Sequence, residues 1–176
     1  MNYIKDIKLK EKDNYNVIIE IPKGTNAKYE LVEPENDKVE CVRKVIGKYP
    51  FYYGCFPETF AGDSDPLDMI LLSNKQRGIL DIVSVQPIGV IKTIDDGEVD
   101  DKVLVIANDE PIEHLDKLEK KALKFLKKYK GKKSNMILDE TIYDIEEAIN
   151  IINQANKNYI NKYTKVNLNN NNLSSF

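Results

Sequence analysis

Residues 79–107, "ILDIVSVQPIGVIKTIDDGEVDDKVLVIA", decide the fold class that we expect for this chain. Both halves of the stretch are rich in β-branched residues, which favour strands. Asp96-Gly97 lies between the halves and is a typical dipeptide of a tight hairpin turn. Pro87 interrupts the first half, which predicts a bulge, a bend or two successive strands there. The stretch therefore predicts strand structure on both sides of one turn.

The segments before this stretch extend the strand pattern, whereas the segments after it change to helical spacing. Strands are predicted at 15–21, 27–32, 37–45 and 67–72. Helices are predicted through Leu115, Leu118, Ala122, Phe125, Leu126 and Tyr129, and through Ile142, Ile145, Ile149, Ile152 and Tyr159. Thr141 and Asp144 are similar to a capping pair at the start of the second helix. Strands first and helices last predict an α+β fold, most simply a small antiparallel barrel with two packed helices.

The length of the chain, 176 residues, predicts a single domain, which we place at residues 1–164. The Asn-rich end, 165–176, has low sequence complexity and is expected to be disordered. The first residues are charged throughout, so no signal peptide is apparent. No apolar run approaches the ~18 residues of a membrane helix. We therefore expect a soluble, cytoplasmic protein that does not bind membranes.

The rarer residue types limit the possible chemistry. The single histidine, His114, excludes zinc sites built from two or more histidines and leaves one imidazole for any nucleophilic pairing. Cys41 and Cys55 form no CxxC pair. An arginine that binds a phosphate group in a bidentate way must be Arg43 or Arg77, because the chain has no other arginine. The net charge of −3 argues against a general polyanion binder, so no nucleic acid partner is expected.

Two acidic clusters lie beside predicted strands. The first is "GDSDPLDMILL" at 62–72, and the second consists of Asp95, Asp96, Glu98, Asp100 and Asp101. Carboxylates that converged to about 5 Å would repel by roughly 3 kcal/mol a pair at an effective dielectric of 20. The side chains therefore either spread into water or are neutralised by hard cations. Oxygen-only ligands of this kind suit Mg²⁺ or Mn²⁺.

The first cluster does not fit the calcium loop of an EF-hand. With Asp63 at position 1, Asp68 takes the place of the required glycine and Asn74 that of the final glutamate. An acidic turn without function is the simple alternative. The second cluster argues against that alternative, because both clusters could lie at the same end of one barrel.

Cationic residues could supply the other half of a site. In the predicted strand 37–45, Arg43 lies on the same face as Val39 and Cys41, because successive residues of a strand alternate between its two faces. A guanidinium on an apolar face needs an anion as a partner. Lys28 and Glu30 share a face of the strand 27–32. Together with metal-binding aspartates, these cations would form a pocket for a phosphate chain.

Two other kinds of function remain open on the residues alone. An OB-like barrel could stack single-stranded nucleic acid on Tyr49, Phe51, Tyr52 and Tyr53. The neighbouring carboxylates would repel the nucleic acid backbone. An inactive Mg²⁺ or Ca²⁺ sensor is a further possibility, although a sensor has no use for residues that hold phosphate.

Five collinear motifs carry a resemblance to a known family. They are "VIIEIPKGTNAKYEL", "YPFYYGCFPETFAGDSDP", "GDSDPLDMILL", "IGVIKTIDDGEVDDKVLVI" and "FLKKYKGKK". In order and spacing they resemble the soluble, Mg²⁺-dependent inorganic pyrophosphatases of the OB-barrel type, with a bacterial-like pattern. The resemblance covers about residues 15 to 133. It implies an OB-like β-barrel with two C-terminal helices.

The resemblance also implies a role for each matching residue. Asp63, Asp68, Asp95 and Asp100 would bind several Mg²⁺ ions, for which Mn²⁺ or other divalent ions could substitute. Asp65 would be the base that orients and deprotonates the attacking water. The phosphate oxygens would contact Lys28, Arg43, Tyr53, Tyr129 and Lys130. The site would be further lined by Glu20, Glu30, Tyr49 and Lys102.

The activity implied is hydrolysis of pyrophosphate to two phosphates by direct attack of a metal-activated water. The resemblance further implies self-association as a homohexamer. Departures from the family pattern are few. Ser64 replaces a usual glycine, Cys55-Phe56 replaces an aromatic-aliphatic pair, and lysines after Phe125 replace histidines at subunit contacts.

Overall fold

A computed structural model describes residues 1–62, 65–131 and 134–173, with only the backbone from residue 165 onwards. The strands in these residues are β1 (Lys10–Glu11), β2 (Asn14–Ile21), β3 (Ala27–Leu31), β4 (Val39–Lys44), β5 (Tyr52–Cys55), β6 (Asp68–Leu72), β7 (Ile82–Asp95), β8 (Glu98–Val99), β9 (Lys102–Ala107) and β10 (Ile137–Tyr143). The helices are α1 (Leu115–Leu126) and α2 (Ile145–Leu173).

The main sheet closes into a ring. Its strands follow the order β2-β5-β6-β9-β7, and β7 pairs back onto β2. The expected barrel is therefore confirmed. One pairing differs from the antiparallel arrangement that we expected, because β6 and β9 run parallel, with Met69 opposite Val103. The intervening β7 returns the chain to the end at which β6 began, so β9 runs in the same direction as β6.

The stretch 79–107 contains β7, a tight turn, β8 and β9. Asp96 and Gly97 have φ angles of 47° and 88°, the left-handed values that a primed hairpin turn requires. The pairing of β7 with β9 shifts in register between Pro87 and Gly89, so a bulge accommodates the proline. A Cβ on Gly89 would lie 2.6 Å from the carbonyl oxygen of Tyr143, which explains why glycine is needed there.

Strand β2 contributes to three hydrophobic clusters, the smallest of which contains Ile18. Seven of its eight residues are buried, so the strand is covered on both faces. Val17 and Ile19 belong to a cluster that includes Ala148 and Ile152 of α2. Ile21 belongs to a second cluster, which contains residues of α1 and the aromatic segment 49–53. Helix α2 therefore packs in the first of these clusters and α1 in the second.

The second helix begins later than we expected. Thr141 and Ile142 lie in β10, which pairs with β7, so the predicted cap at Thr141 and the helical assignment of Ile142 were both wrong. Asp144 alone caps α2, and its carboxylate accepts a hydrogen bond of 3.0 Å from the backbone N–H of Glu147. Pairing with β7 overrides the apolar spacing that predicted helix at these positions. Strand β5 was also missed, because its aromatic residues read as part of a loop.

The end of the chain is described only in part. Helix α2 continues to Leu173, and residues 174–176 lie outside the described residues. The division into a domain and a disordered tail therefore stays a prediction. Neither helix of the described chain has the length and apolar character that crossing a membrane requires.

Candidate active site

An open cleft of about 590 Å³ lies at one end of the barrel. Eleven of the fourteen residues predicted for the site line it: Glu20, Lys28, Glu30, Tyr53, Asp65, Asp68, Asp95, Asp100, Lys102, Tyr129 and Lys130. Asp63 lies outside the described residues. Arg43 and Tyr49 are not among the lining residues, but each contacts Tyr129, which is.

The topology of the ring explains why the two acidic clusters meet. Asp68 and Lys102 are the first residues of β6 and β9, and parallel neighbours begin at the same end of a sheet. Asp95 is the last residue of β7, which runs antiparallel to β9 and therefore finishes at that end. The expected convergence of the clusters is thus a direct result of strand direction.

Lys102 is the buried centre of the cleft floor, with 1% of its side chain exposed. Its ammonium donates a hydrogen bond of 2.6 Å to Asp68 Oδ2 and one of 2.8 Å to the carbonyl oxygen of Asp100. It also forms an ion pair with the carboxylate of Asp100. Tyr53 donates its hydroxyl to the same oxygen of Asp68. The floor therefore holds two carboxylates around one ammonium.

The burial of these groups changes their proton affinities. Burial raises the pKa of Asp100 to about 7, with a further contribution from the charge of Asp68. Burial would also raise the pKa of Asp68, but the neighbouring Lys102 outweighs it and holds this pKa below the usual value. Burial lowers the pKa of Lys102, and the two carboxylates more than offset this effect and raise it. The three groups therefore behave as one electrostatic unit.

Cations form the rim of the cleft. Lys130 pairs with Asp95, and burial together with the charges of Lys28 and Arg43 lowers the pKa of Lys130 to about 8. Lys28 pairs with Glu30. The guanidinium carbon of Arg43 lies 5.8 Å from the centre of the Tyr129 ring. Lys28 and Lys130 are held by carboxylates, so an anion entering the cleft could replace those partners.

The expected setting of Arg43 is wrong in one respect. Cys41, on the same alternation of β4, is exposed, so this strand does not present an apolar face. Strand β4 pairs with β3 in a separate two-stranded sheet, which leaves one side open to water. The contact of Arg43 with Tyr129, which the sequence pattern does not indicate, is what brings the guanidinium to the cleft.

The donor set of the cleft fits hard divalent cations. Three lysines and nine carboxylates line it. The carboxylates are Glu20, Glu30, Glu33, Asp65, Asp68, Asp95, Asp96, Glu98 and Asp100. Within the described residues, no three acidic, histidine or cysteine side chains alone form a coordination group, and Asp63 is not among those residues. An excess of carboxylate oxygens in one cleft is nevertheless the chemistry that Mg²⁺ selects.

Sequence reasoning assigned no role to several lining residues. Glu33 and Asn36 come from the turn between β3 and β4, where no pattern indicated a site. Cys55 lies two residues after Tyr53 in β5, a spacing that places both on one face of the strand. Its thiol is hydrogen-bonded to Glu20, and burial is the main reason that its pKa is raised.

The aromatic segment does not offer a surface for nucleic acid. Tyr49, Phe51, Tyr52 and Tyr53 are between 1% and 7% exposed. Tyr49 contacts Phe125 and Phe51, with ring centres 4.7 and 5.9 Å apart. Bases stack on exposed rings, so these side chains cannot serve the nucleic acid function that was left open.

Glu20 gives a prediction about stability and pH. Burial raises the pKa of Glu20 to about 8, above its ordinary value of 4.5. In metal-free protein between these values, the folded state keeps a proton that the unfolded state has lost, so stability falls as pH rises through this window. Glu20→Gln removes this loss and can still accept the 2.9 Å hydrogen bond from Leu31 N–H.

Urea unfolding at pH 5 and pH 8, with chelator present, measures the effect. The free energy of unfolding of the wild type is expected to fall by more than that of Glu20→Gln, by at least about 1 kcal/mol. Asp100 titrates in the same window, so the comparison between the two proteins isolates the share of Glu20. Identical pH dependence in both proteins would refute the raised pKa.

Comparisons with known proteins identify a family and a similar fold. A family model described as "Inorganic pyrophosphatase" matches residues 17–160. An inorganic pyrophosphatase of Nanoarchaeum equitans is 33% identical over 154 residues, which cover 80% of this chain and 94% of that protein. One of Sulfolobus acidocaldarius is 38% identical over 98 residues, 55% of this chain. That match spans only 57% of the length of the Sulfolobus protein.

Among solved structures, the type I inorganic pyrophosphatase from Toxoplasma gondii has a similar fold, with a TM-score of 0.83 at 22% identity. The match covers 92% of this chain and 88% of that one. It confirms the expected OB-like barrel with two helices as the architecture around the cleft.

Proposed function

This chain belongs to the inorganic pyrophosphatase family, and on that premise we propose that it hydrolyses inorganic pyrophosphate to two phosphates. The observation that carries the proposal is the division of the cleft into an acidic floor and a cationic rim. Pyrophosphate is a compact polyanion with no apolar part. A cleft that pairs carboxylates for metal ions with lysines for oxyanions suits this substrate.

Mg²⁺ is the cation proposed for the floor, with Mn²⁺ as a possible substitute. Asp68, Asp95 and Asp100 would hold it, together with Asp63, which lies outside the described residues. Bound Mg²⁺ would supply Lewis acidity, making water more acidic and offsetting the charge of phosphate oxygens. Lys102 holds Asp68 and Asp100 in place before any cation arrives, which limits the repulsion between them.

The rim residues would orient the substrate. Lys28 and Lys130 would exchange their carboxylate partners for phosphate oxygens. Arg43 and Tyr129 would act together, since the guanidinium lies over the tyrosine ring. A guanidinium can hold two oxygens of one phosphate group. These contacts would place one phosphorus atom opposite Asp65.

Asp65 is proposed as the base. It lines the cleft and is exposed, so a carboxylate there can accept a proton from water that attacks phosphorus. No covalent intermediate is proposed. Cys55 is buried with a raised pKa, which makes it a poor nucleophile, and His114 is not among the residues that line the cleft.

A substrate panel tests this function. The protein with Mg²⁺ is expected to release phosphate from pyrophosphate and far more slowly from a phosphate monoester such as p-nitrophenyl phosphate. The reason is that a monoester presents only one phosphate group to the cationic rim. Addition of a chelator is expected to abolish the release. Equal rates on both substrates would indicate a general phosphatase and contradict the proposal.

Two further statements stay proposals. The first is the cytoplasmic location, which was expected from the sequence pattern, and the second is the homohexamer, which the family resemblance implies. The lysines of the segment 124–128 stand where bacterial relatives place contact histidines, so any hexamer of this chain would use other contacts there. Light scattering on the purified protein measures its mass in solution.

A further inference from the structure

A short loop, residues 56–62, connects β5 to the stretch that carries the aspartates. We propose that Glu58 of this loop and Asn156 of α2 are positioning residues, which fix the loop so that Asp65 and Asp68 face the cleft and Asp68 is ready for a metal ion. The inference rests on the proposed function, because it concerns the same site. Neither residue lines the cleft, so neither is a catalytic residue.

The loop is bonded directly to the backbone that carries the site. The N–H of Ala61 donates a hydrogen bond of 2.7 Å to the carbonyl oxygen of Asp65. The N–H of Leu67 donates one of 3.0 Å to the hydroxyl of Thr59, which is fully buried. Phe56 N–H donates to Leu67 O at 2.9 Å. A shift of the loop would therefore shift Asp65 and the start of β6.

Helix α2 holds the loop from one side. The side-chain amide of Asn156 donates a hydrogen bond of 2.7 Å to the carbonyl oxygen of Glu58. The amide of Asn158 donates one of 3.2 Å to the carbonyl oxygen of Phe60. The N–H of Phe60 in turn donates to Ala155 O at 2.9 Å. Three hydrogen bonds thus join one turn of a core-packed helix to two residues of the loop.

The N-terminal segment holds the loop from the other side. Glu58 N–H donates a hydrogen bond of 2.9 Å to Ile4 O, and the Glu58 carboxylate accepts one of 3.0 Å from Leu9 N–H. Lys8 pairs with the same carboxylate at 3.1 Å. Glu58 has a φ of 51°, a left-handed conformation that residues with a Cβ adopt only when their surroundings impose it.

The contacts of Glu58 with the N-terminal segment lie partly outside the region that the family model matches. Residues 4–9 lie before residue 17, where the match to the family model begins. Every polar group of Glu58 is used: its N–H, its carbonyl oxygen and both carboxylate oxygens have partners. A residue bonded on all sides, in a conformation that costs free energy, is suited to fixing the position of its neighbours.

The test begins with Asn156→Ala, which removes one donor from the loop and leaves every cleft residue unchanged. Binding of Mn²⁺ alone, followed by calorimetry, is expected to weaken about tenfold, as for residues that orient metal ligands. Amide hydrogen exchange in residues 57–62 is expected to become faster. Turnover of pyrophosphate is expected to stay below that of the wild type at saturating Mg²⁺, because a shift of the loop also moves Asp65.

Matched variants separate positioning from folding. Asn153→Ala removes the same side chain from an exposed site of α2 and is expected to leave Mn²⁺ binding unchanged. Glu58→Ala is expected to act like Asn156→Ala, because Leu9 N–H loses its acceptor. Glu58→Gln keeps an acceptor and the length of the side chain, so its Mn²⁺ affinity is expected to stay near that of the wild type.

The outcomes distinguish this inference from the proposed function. Unchanged Mn²⁺ affinity and exchange in both alanine variants would overturn the positioning role, and so would lower melting temperatures with unchanged affinity. A wild type that binds Mn²⁺ without hydrolysing pyrophosphate would refute the function alone, since binding still decides the role of Glu58 and Asn156. A wild type that binds neither Mn²⁺ nor Mg²⁺ would overturn both.

Discussion

Asp65→Asn is expected to lower the turnover of pyrophosphate by about 10²–10⁴-fold, the contribution typical of a general base. The amide that replaces the carboxylate keeps the size of the side chain but cannot take a proton from the attacking water. Asp65 is proposed as a base and not as a metal ligand, so calorimetry is expected to show nearly unchanged Mg²⁺ binding. Steady-state phosphate release measures the turnover.

Asp68→Asn is the matched comparison for this prediction. Asp68 contacts both Lys102 and Tyr53 on the cleft floor and is a proposed ligand of Mg²⁺. Its replacement is expected to weaken Mg²⁺ binding and turnover together. Equal and mild effects of the two substitutions would contradict the separation of roles between Asp65 and Asp68.

Lys102→Met is expected to destabilise the metal-free protein by about 3 kcal/mol, because it leaves two carboxylates close together without their shared cation. For a chain of this size that loss corresponds to a melting temperature lower by roughly 6–12 °C. The effect is expected to shrink at pH 5, where the carboxyl groups of Asp68 and Asp100 can take up protons. It is also expected to shrink when Mg²⁺ is added, since the cation would replace the lost charge.

Lys38→Met is the control for burial. Lys38 forms an ion pair with Glu40 in which both side chains are 63% exposed. Pairs of this kind contribute about 0–1 kcal/mol, so little change in melting temperature is expected. Thermal unfolding, first with a chelator and then with Mg²⁺, compares the melting temperatures of Lys102→Met, Lys38→Met and the wild type. A Lys102→Met protein as stable as Lys38→Met under every condition would show that the buried ammonium does not hold the floor together.

Local sequence patterns predicted much of the fold. The alternation and the Asp96-Gly97 turn in 79–107 reported β7 and its hairpin correctly, because the turn and the strand need only local chemistry. Strands β5 and β10 were missed for a different reason. Each strand is defined by pairing with a strand that is distant in sequence, β5 with β2 and β10 with β7. The local alternation of apolar and polar residues does not predict such a pairing.

The order and spacing of the motifs predicted which residues belong to the site. Eleven predicted residues line one cleft, but the sequence did not indicate how they are held. Lys102 reads as an ordinary strand residue, and only its burial makes it the centre of the floor. Glu58 likewise reads as a loop residue. Its contacts with Ile4 and Asn156 join positions 54 and 98 residues apart along the chain, and such pairs leave no local pattern.

Release of phosphate from pyrophosphate by the purified chain tests the central claim most directly. Wild type and Asp65→Asn, prepared in parallel and assayed with Mg²⁺, form the decisive pair. The account predicts that the wild type releases two phosphates from each pyrophosphate and that the variant is almost inactive. An inactive wild type, or equal activity in the two preparations, would contradict the claim that this cleft hydrolyses pyrophosphate.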